Sequence, residues 1–419
     1  MKLNDQAWIE IFNKLTLLKS LESLPFFSIS AKQIKDIGLR EPRLMAKFDT
    51  KESLPQIFRQ NKLNINAISN GIYIIYKDPQ YQSFIDLPDY STIFPIKVIP
   101  NFEFELETLV FNTRMSESNA IDFAHHSKII SAFSGESELK LTSRGRFFSD
   151  GFSLKLNNIG NINVQGVQIE IDSGYEGLKQ FLIIEAKNST RKSFNIRQLY
   201  YPFKHFQNRT NKRIRTILLS FSNGIYYFTE IELTDNYFEY KITNNEAYEV
   251  IIDEPIEKIS ISDLITQETN TSEGIPVPQA DDLNKVIDLV SFLFNNPADK
   301  FEIAEHFEFD ERQGDYYGNA SFYIGLTYKH GTKFILTSLG QKISQLKNRK
   351  KRNLEVIKAI LRTKFFNDLV KLYIKNDYKL DDQQIINRIK QEGLTRTTPE
   401  RRKSTIISWL SWINGNLIE

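Results

Sequence analysis

The spacing of hydrophobic and polar positions changes along the chain, and the changes divide it into regions. Residues 1–112 open with "MKLNDQAWIEIFNKL", where apolar residues recur at helical spacing among charges. Short helical stretches follow in "ISAKQIKDIGLREPRLMAKFDTKESLPQIFRQNKLNI", then strand-like "GIYIIY". An N-terminal helical and mixed domain is expected. Residues 113–265 begin with a helix, "ESNAIDFAHHSKIISAF", for which Ser116 is the expected cap. Strand patterns come next at "FSLKLNN", "NVQGVQIEID", "QFLIIEAK", "RTILLSFS", "GIYYFTEIEL" and "YFEYKI", with helix-like "NIRQLYYPFKHFQNRT" between two of them. A helix before the strands and another crossing within them give an α/β (α+β) sheet domain.

The pattern then lapses. "TQETNTSEGIPVPQADD" has no period and is rich in Thr, Glu, Gly and Pro, which predicts a linker over 266–280. Residues 281–346 read as helix, second short helix at "DKFEIAEHF", third helix at "ERQGDYYGNASFYIGL" and β-ribbon at "TYKHGTKFILTSLG", the winged-helix order. Residues 347–419 repeat that plan as three helices without the ribbon, so a second helical, winged-helix-like module is expected.

At 419 residues, two or three domains are the prior. With 41% hydrophobic and 25% charged residues, the composition is that of a soluble globular protein. No run is long and apolar enough to span a bilayer, and the charged N-terminus does not resemble a signal peptide, so a cytoplasmic (bacterial) protein with no membrane partner is expected. There are no cysteines, which excludes disulfides, thiolate catalysis and cysteine zinc sites, and five histidines argue against a multi-histidine metal centre. The net charge of +2 hides an asymmetry: residues 241–282 carry about −8 and residues 341–419 about +10. An acidic linker beside a basic binding surface would give that separation; so would two solvated faces of opposite sign.

The candidate chemistry lies in "VQIEIDSGYEGLKQFLIIEAKN", two strands with a loop expected over 173–180. Strand alternation puts Val167, Ile169 and Ile171 on one face, and Gln168, Glu170 and Asp172 on the other. Glu185 and Lys187 share a face of the second strand, where pairing would bring Asp172 beside them. Two carboxylates can bind Mg²⁺, which takes only one or two and fills its shell with water and phosphate oxygens. The ion acidifies a water and offsets charge growing on phosphorus, and the lysine can orient that water or stabilise the charge. D-x₁₂-E-x-K also recurs by chance, and a structural Glu–Lys pair at a strand end is the competing account. The cost of placing charges inside "FLIIEAK" favours a function.

"EIDSGYEGLKQFLIIEAKN" followed by "FNIRQLYYPFKHF" resembles the catalytic core of the PD-(D/E)xK nuclease superfamily, in the style of type II restriction endonucleases. "REPRLMAKFD", "SRGRFFSDGFSL", "IPVPQADD" and "ERQGDYYGNASFYIGL" are similar to segments of one group of those enzymes, so the likeness touches most of the chain. Ile171 stands where the motif has its proline, which leaves Glu170 and Asp172 as alternatives for the first ligand; Asp172 is preferred because it is expected to end the strand beside the loop. The resemblance implies Asp172 and Glu185 as metal ligands, with Ala186 as a further metal position, Lys187 as the catalytic lysine, and Gln198 as a supporting glutamine. Glu117, on the helix before the sheet, is a further candidate ligand. The implied fold is a restriction-endonuclease-like core, and the implied activity is Mg²⁺-dependent, site-specific cleavage of double-stranded DNA. A homodimer and a cognate DNA methyltransferase are the implied partners. A methylation- or structure-directed nuclease, or a DNA-binding regulator with an inert core, are the alternatives.

In the third helix of the winged module, Arg312, Gln313, Tyr316 and Asn319 fall largely outside the packed face and suit base edges and phosphates. At least one of Tyr316 and Tyr317 is expected in the core. Lys329 and Lys333 on the ribbon would reach the DNA backbone. Arg401, Arg402 and Lys403 lie in the first turns of the last helix, where cations oppose the helix dipole unless an anion such as a DNA phosphate compensates. Trp409, Trp412 and Ile413 have core spacing. The halves of a GIY-YIG signature lie in different regions, His125 and His126 lack a partner at metal spacing, and no Gly-rich phosphate loop supports ATP use.

Overall fold

The computed structural model describes residues 3–102, 104, 106–157, 159–252, 260–265, 269, 276–391 and 398–417. Two compact units comprise Met1–Ile96, Glu117–Phe221 and Tyr226–Tyr248 in one, and Lys97–Ser116, Ser222–Ile225 and Glu249–Glu419 in the other.

The first unit opens with helices α1 (Leu3–Lys14) and α2 (Leu17–Ser23), strand β1 (Phe26–Ser30), and helices α3 (Ala31–Gly38), α4 (Pro42–Ala46) and α5 (Gln56–Asn61). The expected amphipathic face of α1 is real: Ala7, Trp8, Ile11 and Phe12 are buried, with the Trp8 ring 4.9 Å from Phe58 of α5. Ser30 and Gln33 form a reciprocal capping box that starts α3. Strands β2 (Leu63–Ser69) and β3 (Ile72–Lys77) complete a sheet of order β1-β3-β2, and β4 (Phe84–Asp86) follows. The two units do not divide at the expected border, residue 112. Ile74, Tyr76 and Ile85 share one core with Ile169, Ile171, Phe181, Ile183 and Leu199, so the N-terminal segment and the hairpin fold together. Periodicity reports local runs and not which runs meet.

Next along the chain come β5 (Ile96–Val98), helices α6 (Glu117–His126) and α7 (Ile129–Ser134), and strands β6 (Lys140–Phe148), β7 (Phe152–Leu156), β8 (Gly160–Val164), β9 (Gln168–Glu176), β10 (Gln180–Lys187) and β11 (Ser193–Asn195). Helix α8 (Arg197–Gln207) and strands β12 (Arg213–Ser222), β13 (Ile225–Leu233) and β14 (Tyr240–Val250) finish the series. Seven of these strands form a mixed sheet of order β5-β14-β13-β12-β10-β9-β6. β9 and β10 are antiparallel, β10 and β12 parallel, and α8 makes the crossing between the parallel pair, as the sequence pattern required. The run "NVQGVQIEID" is not one strand. Gly166 adopts a φ of 65°, open to glycine, and separates β8, which pairs with β7, from β9.

The second unit is largely helical: α9 (Ile261–Ile265), α10 (Leu283–Leu293), α11 (Lys300–His306), α12 (Glu311–Tyr323), strands β15 (Thr327–His330) and β16 (Lys333–Leu336), then α13 (Ser338–Gln345), α14 (Arg349–Leu361), α15 (Lys364–Lys375), α16 (Asp382–Gln391) and α17 (Thr398–Asn416). A single core runs through it, from Ile261 to Ile413. This corrects two expectations. The border at 346/347 is absent: Phe366 stacks on Trp409 at 4.9 Å and meets Tyr323 edge-on. Nor is 266–280 a free linker throughout, because Val277 and Ala280 are buried in that core and Trp409 Nε1 donates to the Ala280 carbonyl at 2.8 Å. Proline-rich composition hid these small apolar residues. Among the described residues, no helix is long and apolar enough to cross a membrane.

Candidate active site

The β9–β10 ladder ends at the pair Ile184–Ser173. One residue further on, the Asp172 carboxylate takes over from the backbone: its Oδ2 accepts the Ala186 N–H at 2.8 Å. β6 contributes to this geometry. Between Ile171 and Gly174, β9 advances three residues while β6 advances two, from Gly145 to Ser143. Asp172 lies in that bulge, which breaks the strict alternation assumed from sequence.

On β10, Lys187 Nζ donates to Glu185 Oε1 at 2.8 Å, and both side chains are nearly buried. Burial pushes the Glu185 carboxyl up to about 8; Lys187 opposes this, while Asp172 and then Asp49 add to it. Glu117, at the start of α6, accepts the Asn188 N–H at 3.3 Å. Its carboxyl is also raised, first by burial, with Lys187 opposing and Asp172 reinforcing. Asp172, Glu185, Lys187 and Glu117 thus form one electrostatically coupled group.

The structure separates the two alternatives for the first carboxylate. Glu170 pairs with Arg43 at 2.8 Å and Arg146 at 3.0 Å in an exposed cluster. Asp172 is the residue brought to the group, although not for the expected reason: β9 continues to Glu176, and the loop is residues 177–179. Gln198 lies in the first turn of α8, and both its amide Oε1 and Nε2 are buried without a hydrogen-bond partner. Asn188 Oδ1, just after β10, is in the same condition. Such atoms are costly unless an ion, water or ligand meets them.

Among the described residues, no three His, Cys, Asp or Glu side chains form a metal cage. The donor set nevertheless suits Mg²⁺, which needs no more than two carboxylates. Asp172 and Glu185 supply hard oxygens, burial disfavours the Glu185 charge despite Lys187, and the metal role implied for Ala186 would fall to its carbonyl, since its N–H serves Asp172. His125 stacks on Tyr175 with ring centroids 4.7 Å apart, and burial first, then His126, lowers its value to about 4; its place is in packing.

The DNA-contact candidates fare unequally. On α12, Arg312 is exposed and Gln313, Tyr316 and Asn319 are half-buried, while Tyr317 is the core tyrosine and donates to Asp281 at 3.1 Å. The Lys329 ammonium lies over the Phe334 ring at 4.9 Å, and Lys333 pairs with Glu302 at 3.3 Å. Two of the three α17 cations expected at DNA phosphate have partners within the chain. Arg402 donates to the Val277 carbonyl, and Lys403 pairs with Asp382 at 2.6 Å. A neighbouring carboxylate and a carbonyl thus lie against the positive charge at this helix start. The Arg401 side chain lies outside the described residues.

Sequence reasoning missed the part played by the N-terminal segment, through Asp49 and Arg43, and that of the "SRGR" arginines. Charges alternating on a strand were the available signal; their partners, 22 to 127 residues away, were not readable.

Three segments match family models, each described as a domain of unknown function: DUF6996 at residues 5–75, DUF6997 at 79–249 and DUF7226 at 285–417. No match was found among curated proteins or among solved structures.

Proposed function

We propose that this chain is a Mg²⁺-dependent endonuclease that hydrolyses phosphodiester bonds of double-stranded DNA at specific sites, a type II restriction endonuclease of the PD-(D/E)xK kind. The observation that carries the proposal is the meeting of Asp172, Glu185 and Lys187 where β9 and β10 part, with Glu185 pushed up to about 8. A structural ion pair needs no second carboxylate beside it; a divalent-cation site uses one.

Asp172 and Glu185 would hold the ion, with the Ala186 carbonyl beside them. A bound Mg²⁺ would acidify the attacking water and offset charge on the phosphoryl oxygens. Lys187, held at 2.8 Å from Glu185, is placed to orient that water or to neutralise the developing charge. Gln198 and Asn188 offer unmet hydrogen-bonding atoms around the group.

The order α10, α11, α12, then the β15–β16 ribbon supports a winged-helix reader, strengthened by a bridge between Ala298, ahead of α11, and Phe334 of β16. Exposed Arg312 with Gln313 and Asn319 on α12 provides base-reading groups. Symmetric cutting of both strands would make a homodimer the working form, alongside a cognate methyltransferase.

Unmethylated plasmid incubated with the protein and Mg²⁺ should give discrete bands, and Glu185→Ala should give none. An intact plasmid across a range of substrates and divalent ions would leave an inert nuclease-like core.

A further inference from the structure

Helix α6 is tied to the chain just after β10 and to β6. Glu117 in its first turn accepts from the Asn188 N–H, at the end of β10. Five residues on, Asp122 holds Arg144 of β6 through both carboxylate oxygens: Nη1 reaches Oδ2 at 3.2 Å, and Nη2 pairs with Oδ1. Arg144 sits opposite the bulge of β9, and its Nε donates to the main-chain carbonyl of Asp172 at 3.1 Å.

A bulge leaves ladder groups without their regular partners, and a loose bulge lets its side chains wander. Here a planar guanidinium fork, paired with one carboxylate, donates to the Asp172 carbonyl inside the bulge. We infer that Arg144, locked by Asp122, is a positioning residue: it fixes the bulge so that the Asp172 carboxylate stays aimed at Ala186 and the cation site beside Glu185. The inference rests on the metal site proposed above. Lysine cannot replace Arg144, because it has no fork with which to hold Asp122 and the Asp172 carbonyl together.

Direct binding of Mn²⁺, a hard ion standing in for Mg²⁺, tests this by titration with electron paramagnetic resonance on the full-length protein. Thermal melting of every variant runs in parallel. Outer partners of metal ligands typically govern affinity by about 10–100-fold. Arg144→Ala and Arg144→Lys should each weaken Mn²⁺ binding by about tenfold or more. Asp122→Arg combined with Arg144→Asp should recover the thermal midpoint, since the ion pair is rebuilt, but not the affinity, since a carboxylate at position 144 has no proton to give to the Asp172 carbonyl. Arg144→Lys binding Mn²⁺ within twofold of wild type would overturn the inference, as would recovery of affinity by the charge-swapped pair. Asp172→Ala separates the two levels. If it binds Mn²⁺ as well as wild type does, the metal site itself is wrong and the positioning role falls with it; if it loses binding while Arg144→Lys does not, only the positioning role falls.

Discussion

The Asp172 carboxylate receives the Ala186 N–H one residue beyond the last β9–β10 pair, so a side chain closes the ladder where the two strands separate. This contact distinguishes Asp172 from Glu170, which a strict strand alternation had placed on the same face. Asp172→Asn keeps an oxygen acceptor for that N–H but removes the charge. It should fold normally and lose divalent-ion binding. Glu170→Ala should leave ion binding intact and change stability by less than about 1 kcal/mol, as expected for exposed ion pairs. Calorimetric titration of both variants checks this; loss of ion binding in Glu170→Ala would reverse the assignment.

The raised Glu185 carboxyl makes the metal-free protein pH-sensitive. With the value shifted from 4.5 to about 8, the folded state keeps a proton that the unfolded chain gives up. The stability contributed by the shift is therefore present below about 4.5 and is lost as pH climbs to about 8. Divalent ions compete with that proton, so their affinity should rise over the same interval and protons should be released on binding. Melting curves from pH 5 to about 8.5 should show a slope that Glu185→Gln removes. An unchanged slope in that variant would assign the titration to another group.

Much of the site was legible because its signals are local. Glu185 and Lys187 stand out as charges inside an apolar strand, and the α8 crossing follows from a helical pattern between strand patterns. What was not legible depends on contacts distant in sequence. The bulge at Asp172 is set by register with β6, and Ile74 and Ile85 join the hairpin's core across about a hundred residues. Val277 and Ala280 read as linker because their neighbours are prolines and polar residues, yet they are buried. The partners of the basic residues at the start of α17, Asp382 and the Val277 carbonyl, were likewise not readable.

These distant contacts change what a truncation should do. The tip of the β12–β13 turn belongs to the second unit, where Ser222 Oγ and Asn223 N donate to Asp288 at 2.6 and 2.8 Å, and Arg352 Nε donates to Asn223 Oδ1 at 2.9 Å. A linker over 266–280 would let residues 1–265 fold alone. Instead, that fragment should be insoluble or molten, because it leaves those polar groups and Ile261 and Leu264 without partners. Asp288→Ala in the full chain should cost about 1–3 kcal/mol for each buried donor it abandons. Circular dichroism and denaturant melts of both proteins check this, and a cooperative, native-like melt of the fragment would contradict it.

Arg312 and Arg402 should now behave differently from each other in DNA binding. Arg312, exposed near the start of α12, should carry base discrimination, so Arg312→Ala narrows the gap between cognate and random DNA by about 1–3 kcal/mol. Arg402→Ala should leave the salt slope unchanged and lower the melting temperature, because its guanidinium is spent on the Val277 carbonyl. Binding to both DNAs across a salt series separates these outcomes. A salt slope reduced by about one for Arg402→Ala would return that residue to the DNA interface.

The most direct measurement is plasmid cleavage in Mg²⁺ by wild type, Glu185→Ala and Lys187→Ala, with DNA binding followed in Ca²⁺ on the same preparations. Wild type should cut to discrete fragments, and each variant should lose at least about a hundredfold in rate, the scale of a single lost charge-stabilising group, while binding DNA as wild type does. A Glu185→Ala protein that cuts at the wild-type rate would contradict the assignment of this hairpin as the catalytic site.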